Sequence, residues 1–288
     1  MLRFLNLICL LLLLNAEALF SQTPDPQKPV EPGGVGADSA MMPECSVNEV
    51  YTLMPAPVEG ELILRRTGYS VSFNCTHKLA NWVSYVMTAE ETNSKVKRKN
   101  LFAADTMAPS CLVVPDDYKR SGYDKGHLAP SADMCWSLLS MKESFYMTNM
   151  APQKPRFNRG MWKRLEDQVR DWAVENDSVL VVTGPVLKAG LPQLDRNSIS
   201  IPEAFYKVIL GQNGPGLKVM AFVMDNKRLT GELSEYAVSV DSVENLTGLD
   251  LFSDMPDDTE SLIESTVNLQ GWLWNGKAIR MEEDDDEE

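Results

Sequence analysis

The chain has 288 residues, of which 44% are hydrophobic and 24% are charged, and its formal net charge is −14. This composition excludes a collagen, a coiled coil and a wholly disordered chain, and the length allows one large domain or two small ones. The acidic charge is uneven, because residues 119–170 hold ten basic and only five acidic side chains. A cationic segment within an acidic protein indicates an anionic ligand held at one place.

The first residues have the pattern of a secretory signal peptide, which we assign to residues 1–21. Arg3 gives a positive start, Phe4–Leu14 is an apolar run too short to cross a bilayer comfortably, and Ala16–Ala18 offers small residues for cleavage. We therefore expect a secreted or periplasmic protein without a membrane-spanning helix. An uncleaved anchor is the alternative.

Two segments of biased composition flank the expected domain, which spans residues 45–280. Residues 22–44 are rich in proline and glycine and are predicted to form a disordered linker. Residues 281–288 form an acidic tail that is also predicted to be disordered.

Four cysteines follow the signal peptide, and an even number in an exported chain indicates two disulfides. Three pairings are open. Pairing neighbours along the chain would close loops of about 25 to 30 residues and stabilise the fold by roughly 3 kcal/mol each. A zinc site is the alternative, although no Cys-x-x-Cys spacing is present. The neighbour pairing joins Cys45 to Cys75 and Cys111 to Cys135.

Ordered structure is predicted to begin near Leu62, where two strand-like runs around Gly68 indicate a hairpin, and a further strand is predicted from Trp82. The stretch from Glu90 to Tyr123 has few periodic apolar positions and is expected to be rich in loops. It contains a basic cluster, Lys95, Lys97, Arg98 and Lys99.

The clearest helix is predicted to start near Asn158, because apolar residues recur from Trp162 to Trp172 at spacings of three and four and so share one face. Apolar, β-branched runs separated by turn residues predict strands further along the chain. These later elements are strands from residues 179, 204 and 217, the last two as an antiparallel pair, and short helices at residues 241–246 and 259–265.

The chain contains two histidines, which narrows the kinds of catalytic site that it can form. The sequence lacks His-Glu-x-x-His helices, Gly-x-Ser-x-Gly elbows and nucleotide phosphate loops. An active site would therefore be built around one histidine. His127 is the candidate, because it lies within the cationic segment in the sequence DKGHLAPSA at 124–132.

The sequence DKGHLAPSA resembles the active-site signature of the DNA/RNA non-specific endonucleases, the ββα-metal nucleases related to secreted bacterial nuclease and mitochondrial endonuclease G. It matches the family's pattern except at Lys125, where the family usually has arginine. Two further blocks, FYMTNMAPQ at 145–153 and NRGMWKRLE at 158–166, are similar to the family's metal-binding region. With the strands around them, the resemblance covers residues 60–225.

This resemblance implies an α+β domain in which helices flank a central antiparallel sheet and a ββα-metal site holds one cation. It implies an endonuclease that uses Mg²⁺, with Mn²⁺ or another divalent cation as alternatives, and that hydrolyses DNA and RNA to products with 5′-phosphate ends. Contacts to phosphate and sugar carry little sequence information, so weak sequence preference is expected. Some relatives dimerise, and a homodimer is one option here.

Three residues are assigned the central roles, and each has a structural alternative. His127 is the expected general base, since neutral imidazole accepts a proton near neutral pH, and is otherwise an exposed turn residue. Asn158 is the expected metal ligand through its amide oxygen, and is otherwise a helix cap. Glu166 lies about 12 Å further along the predicted helix and is expected to contact the ion through water. Otherwise it is solvated or paired with Arg170.

Four further residues complete the expected site. Lys125 would contact phosphate as a point charge where arginine offers two parallel donors, so activity should survive with an altered rate or metal preference. Arg98 is matched to an arginine near the scissile phosphate, or is an ordinary loop residue. Asp124 and Asn149 are expected to support the residues that contact ion and substrate, although Asn149 could simply form a turn.

Two other functions also fit the sequence. The acidic surface and Lys125 would fit a protein that holds nucleic acid without cutting it. The same residues would fit an enzyme for another phosphodiester. Release of acid-soluble nucleotides from DNA separates the first from a nuclease, and turnover of a small phosphodiester without cleavage of DNA or RNA would identify the second.

Overall fold

The computed structural model describes residues 54–93, 96–213, 216–274 and 277–278. The predicted signal peptide, linker and acidic tail lie outside these ranges, as do Cys45 and Lys95. Those predictions therefore stay predictions. Among the described helices, none combines the length and the apolar character that crossing a membrane requires.

The described residues form a large antiparallel sheet and two small two-stranded sheets. The strands are β1 (Leu62–Arg65), β2 (Ser70–Asn74), β3 (Leu79–Thr88), β4 (Asp124–His127), β5 (Met150–Gln153), β6 (Ser178–Pro185), β7 (Ala204–Asn213), β8 (Gly216–Asp225), β9 (Ala237–Val238), β10 (Leu273–Trp274) and β11 (Lys277–Ala278). The large sheet has the order β1-β2-β3-β6-β7-β8-β9, and β4-β5 and β10-β11 are the small ones.

The strands expected from the sequence are confirmed. The hairpin around Gly68 is the β1-β2 pair, the strand from Trp82 lies within β3, and β7 and β8 are antiparallel neighbours along their whole length. Successive apolar side chains of β6 and β7 point to opposite faces of the sheet and both faces are buried, which is why the runs are almost continuously apolar. The expected α+β class with a central antiparallel sheet is therefore confirmed.

Helices cover both faces of the large sheet. On one face, Val179 and Val181 of β6 belong to the same buried cluster as Leu165 and Val169, which lie on the longest helix. On the other face, alternate residues of β6 belong to a second cluster with the two C-terminal helices, which confirm the predicted short helices. The helices are α1 (Ala89–Thr92), α2 (Leu138–Glu143), α3 (Pro155–Phe157), α4 (Lys163–Glu175), α5 (Val240–Thr247) and α6 (Asp257–Glu264).

The prediction that the longest helix starts near Asn158 is wrong by about one turn. Residues Asn158–Trp162 form a wider turn, and regular α4 begins at Lys163. The cause is Gly160, whose backbone leaves the helical region (φ −109°, ψ −112°). The apolar spacing that predicted the helix is still present, because Trp162 is buried together with the inner face of α4. The distance of 12 Å expected along a continuous helix therefore does not apply.

Of the three pairings that the sequence left open, the structure excludes the one between neighbours along the chain. Cys75, which follows β2, is bonded to Cys111, and their Cα atoms lie 5.2 Å apart. Both sulfur-bearing residues contact the main buried cluster, where the fold brings the two segments together. Of the three possible pairings of the four cysteines, the one that contains this bond would also join Cys45 to Cys135.

The proposed site residues lie in one long excursion of the chain between two hydrogen-bonded strands. β3 pairs directly with β6, from Val83 opposite Thr183 to Thr88 opposite Ser178. Just beyond the last pair, the amide of Ala89 donates to the carbonyl of Asp177 over 2.8 Å. Residues 89–177 therefore leave the sheet and return to it at one point, and they contain β4, β5 and α4.

Candidate active site

The β4-β5 pair fixes the backbone around His127. His127 lies opposite Met150 in this antiparallel pair, and Gly126 is the neighbouring residue on β4. A Cβ atom at Gly126 would lie 2.0 Å from Oε1 of Gln153, so any larger residue would force the buried Gln153 side chain to move. The close pairing places Lys125 and His127 at the rim and wall of one cavity.

This cavity has a volume of about 530 Å³ and is lined by β4, the turn before α4 and the first half of α4. Basic side chains outnumber acidic ones along its wall, which favours an anionic ligand. The basic residues are Arg98, Lys125, Arg159, Lys163 and Arg170, and the acidic ones are Asp124 and Glu166. Of the seven site residues predicted from the sequence, six line it: Arg98, Asp124, Lys125, His127, Asn158 and Glu166.

His127 is held as a neutral imidazole. Its side chain packs against the rings of Phe102 and Phe145, with centroid distances of 5.9 and 5.0 Å, and it is 8% exposed. Burial lowers the pKa of His127 to about 3, and the positive charge of Arg98 adds to this effect. Its Nε2 atom is buried without a hydrogen-bond partner among the described residues. The interpretation as an exposed turn histidine is therefore wrong.

Asp124 orients Asn158. The amide nitrogen Nδ2 of Asn158 donates to Oδ2 of Asp124 over 2.9 Å. Arg159 holds the same carboxylate with two donors, Nε to Oδ2 at 2.9 Å and Nη2 to Oδ1 at 2.6 Å. Because the nitrogen end of the Asn158 amide is engaged by Asp124, the carbonyl oxygen Oδ1 is the atom left to a ligand in the cavity. A neutral oxygen donor beside two carboxylates fits a hard divalent cation.

Glu166 is half-buried and lines the cavity. Burial raises its pKa above the usual range, the buried ammonium of Lys207 opposes this rise, and Asp133 adds to it. The alternative, an ion pair between Glu166 and Arg170, is wrong. Arg170 instead donates to Oδ1 of Asp133 over 2.7 Å and to Asp167.

Lys207 is a residue of this region that the sequence reasoning missed. It lies on β7 and is fully buried, and its Nζ has no hydrogen-bond partner among the described residues. Nζ lies 4.8 Å from the ring centroid of Trp162, a cation–π contact beneath the turn that carries Asn158. Burial lowers the pKa of Lys207, and Glu166 and Asp133 oppose that shift. The sequence did offer one signal for this residue, which is a lysine inside the apolar run AFYKVIL.

Asn149 supports the backbone after His127 and does not line the cavity. It is fully buried. Its Oδ1 accepts from the amide of Ala129 over 2.9 Å, and its Nδ2 donates to the carbonyls of Ala129 and Ser144, each over 2.9 Å. Asn149 therefore fastens the segment that leaves β4 to the turn before β5.

Two cations are held on aromatic rings beside His127. Nζ of Lys125 lies 4.9 Å from the ring centroid of Phe102 and 6.0 Å from that of Tyr118. The guanidinium of Arg98 lies 5.4 Å from the ring centroid of Phe145, and its Nε donates to Asn100 over 2.7 Å. Both charges therefore stand at the mouth of the cavity with their positions restricted by ring contacts.

Comparisons with known proteins agree with this geometry. A family model described as DNA/RNA non-specific endonuclease matches residues 50–258. The nuclease of Serratia marcescens is 33% identical over 234 residues, which cover 76% of this chain and 86% of that protein. The mitochondrial nuclease EXOG of Danio rerio is 31% identical over 224 residues, covering 72% of this chain and 65% of that protein.

A solved structure shows the same fold. EndoG in its crystallised complex with EndoGI superposes with a TM-score of 0.67 at 27% identity, covering 74% of this chain and 94% of that chain. The family model spans well over half of the sequence. This chain therefore belongs to the DNA/RNA non-specific endonuclease family, and it is a nuclease, a hydrolase of phosphodiester bonds.

Proposed function

We propose that this nuclease cuts both DNA and RNA with His127 as general base and one Mg²⁺ ion on Asn158, leaving 5′-phosphate ends. The observation that carries the proposal is the presence of a neutral, buried imidazole and an oriented amide oxygen in one cationic cavity. A neutral imidazole can take a proton from water as it attacks phosphorus. The oxygen that leaves is the 3′ oxygen of the preceding nucleotide.

We propose that Nδ1 is the imidazole nitrogen that takes the proton. Nε2 is buried, which leaves Nδ1 as the candidate for contact with water in the cavity. A low pKa makes the imidazole a weak base, but a bound phosphate brings negative charge that counters Arg98. The pKa of His127 is therefore expected to rise when substrate binds, so that the base strengthens when it is needed.

Asn158 would hold the cation through Oδ1, and Asp124 keeps the amide turned the right way. A bound divalent cation supplies positive charge beside the phosphate and the leaving oxygen. Mg²⁺ fits an oxygen donor best, and Mn²⁺ would occupy the same donors. Glu166 is proposed to contact the ion through water, a role that requires an ionised carboxylate.

We assign substrate binding to the basic side chains that form no ion pair with a carboxylate. Arg98 and Lys125 stand at the mouth of the cavity, whereas Arg159 and Arg170 are committed to Asp124 and Asp133. Contacts of this kind read phosphate and not base, so weak sequence preference and action on both nucleic acids follow. Lys125 gives one point contact, so its removal should weaken binding without abolishing cleavage.

We propose that the mature chain is exported and that its catalytic domain spans residues 45–280. The signal-peptide pattern supports export, and the Cys75–Cys111 disulfide fits an oxidising compartment. Relatives that are described as mitochondrial give the alternative location. N-terminal sequencing of the secreted or periplasmic fraction tests the proposal, and recovery of the intact N-terminus in a cytoplasmic or mitochondrial fraction would overturn it.

The enzymatic test compares the two histidines. Cleavage of plasmid DNA and of RNA is measured with Mg²⁺, with EDTA, and for His127→Ala and His77→Ala. His77 does not line the cavity and serves as the matched control; its Nδ1 lies 2.9 Å from Oγ of Ser200. We expect metal-dependent cleavage that is lost in His127→Ala and retained in His77→Ala, with 5′-phosphates on the products. Persistent cleavage by His127→Ala would refute the mechanism, and binding without cleavage by the wild type would establish a binding protein.

A further inference from the structure

Three carboxylates meet where the two C-terminal helices approach each other. Asp241 and Glu244 lie three residues apart on α5 and therefore share a face, and Glu264 is the last residue of α6. One oxygen from each carboxylate lies within 4.8 Å of the others. This cluster is separate from the catalytic cavity, because α5 and α6 cover the opposite face of the large sheet.

The cluster has no positive side chain to balance it. In the part of the chain that the structure describes, no lysine or arginine forms an ion pair with any of the three carboxylates. The charged neighbours with the largest effect on Glu264 are acidic. They are Glu244, Glu260, Asp241 and Asp250.

Glu264 carries a buried oxygen that receives no hydrogen bond from the described residues. Its side chain is only 7% exposed, and Oε1 is buried without a hydrogen-bond partner among the described residues. A buried carboxylate oxygen with no donor is costly and is normally matched by a donor or a cation. In the absence of a cation, burial raises the pKa of Glu264 to about 8, and the neighbouring carboxylates add to that rise.

The oxygen separations favour a large cation. An ion with six to eight oxygen ligands at about 2.3–2.6 Å allows ligand oxygens to lie up to about 5 Å apart, whereas Mg²⁺ at about 2.1 Å requires them within about 4.2 Å. The limit of 4.8 Å on the separations satisfies the larger ion as the helices stand, and Mg²⁺ sets a stricter limit. Glu244 is already held in place, because its Oε1 accepts from the amide of Leu251 over 2.7 Å.

We propose that Asp241, Glu244 and Glu264 bind one Ca²⁺ ion that joins α5 to α6. The ion acts on stability and not on catalysis. Val243 and Ile263, on the inner faces of these helices, belong to the buried cluster beneath the sheet. Joining the helices therefore holds this layer against β8.

The test measures Ca²⁺ binding and thermal unfolding on the full mature chain carrying Asn158→Ala, which removes the proposed catalytic ligand. We expect one Ca²⁺ per chain by calorimetry at pH 8, and a rise in Tm of about 5 °C or more when Ca²⁺ is at 100 times its Kd. Mg²⁺ at the same concentration should give a smaller rise. The absence of Ca²⁺ binding up to about 10 mM, above the range of weak extracellular sites, would overturn the proposal.

Matched variants locate the ion. Glu264→Gln removes one charge at nearly constant shape and should abolish both the bound Ca²⁺ and its Tm shift, while Tm without Ca²⁺ stays equal or rises. Asp258→Asn removes the same charge from an exposed position of α6 and should keep the shift. In an otherwise wild-type chain, Glu264→Gln should retain Mg²⁺-dependent cleavage. A Ca²⁺-dependent shift that survives Glu264→Gln would refute the assignment.

Discussion

Replacing Lys207 with methionine should move the pH profile of the nuclease. The change removes the buried positive charge that favours ionised Glu166 and leaves burial and Asp133, both of which raise the pKa of Glu166. An opposite charge within about 4–6 Å lowers a carboxyl pKa by about 1 to 3, so its loss should raise the pKa of Glu166 by at least about 1. Because the proposed role of Glu166 needs the ionised form, the acidic limb of the rate profile should move upward by the same amount.

The expected size follows from the titration of the Glu166 carboxyl. At a pH well below the pKa of both enzymes, raising that pKa by about 1 lowers the ionised fraction about tenfold. Cleavage at acidic pH should therefore fall about tenfold or more, and the two enzymes should converge at alkaline pH. The assay is the initial rate of plasmid cleavage from pH 5.5 to 9.5 at saturating Mg²⁺. Methionine removes a buried base whose lowered pKa disfavours folding below the unfolded pKa, and it also removes the charge that opposes the raised pKa of Glu166, so the two effects on stability act in opposite directions.

The controls use a second lysine that lies over a tryptophan ring. Lys218 lies 4.4 Å from the ring centroid of Trp272 and donates to Glu175 over 2.8 Å, outside the cavity, so Lys218→Met should leave the limb in place. Adding Lys207→Met to Glu166→Gln should cause no further shift. An acidic limb that is unchanged in Lys207→Met would refute the electrostatic link between these residues.

Three further predictions concern the frame of the site. Replacing Cys75 and Cys111 with alanine should lower the free energy of unfolding by about 4 kcal/mol, from the 36-residue separation, as measured by urea denaturation. Asp124→Asn should weaken cleavage or Mg²⁺ affinity about 10–100-fold in an Mg²⁺ titration, because the carboxylate that orients the metal ligand is lost. Gly126→Ala should lower both Tm and activity, because its methyl group would lie 2.0 Å from Oε1 of the buried Gln153 side chain; unchanged values would show that the Gln153 side chain moves aside at no cost.

The sequence predicted those features that depend on local pattern. Strands β6, β7 and β8 are continuous apolar runs, and such runs can be recognised without knowing their neighbours. The motif around His127 was likewise recognisable, because its spacing along the chain is short. Six of the seven expected site residues then fall on one cavity, which reflects the resemblance to a known family more than any single-residue argument.

The features that the sequence could not predict depend on tertiary contacts. The apolar spacing runs from Trp162 to Trp172 and does not fix where the helix begins, so it could not reveal that the backbone leaves the helical region at Gly160. Lys207 lies on β7, whereas Trp162 and Glu166, with which its charge interacts, lie some 40 residues earlier in the chain. The Cys75–Cys111 bond joins segments that only the folded chain brings together.

The excursion of residues 89–177 between β3 and β6 has a consequence for how the chain folds. Closing a flexible loop of this length costs about 4 kcal/mol of chain entropy before the two strands can pair. The contacts that repay this cost are those of α4 with the sheet and of β4 with β5, and they are the same contacts that assemble the cavity. The large sheet and the proposed active site should therefore form in one cooperative step, so that a chain with a completed sheet is also a chain with a formed catalytic cavity.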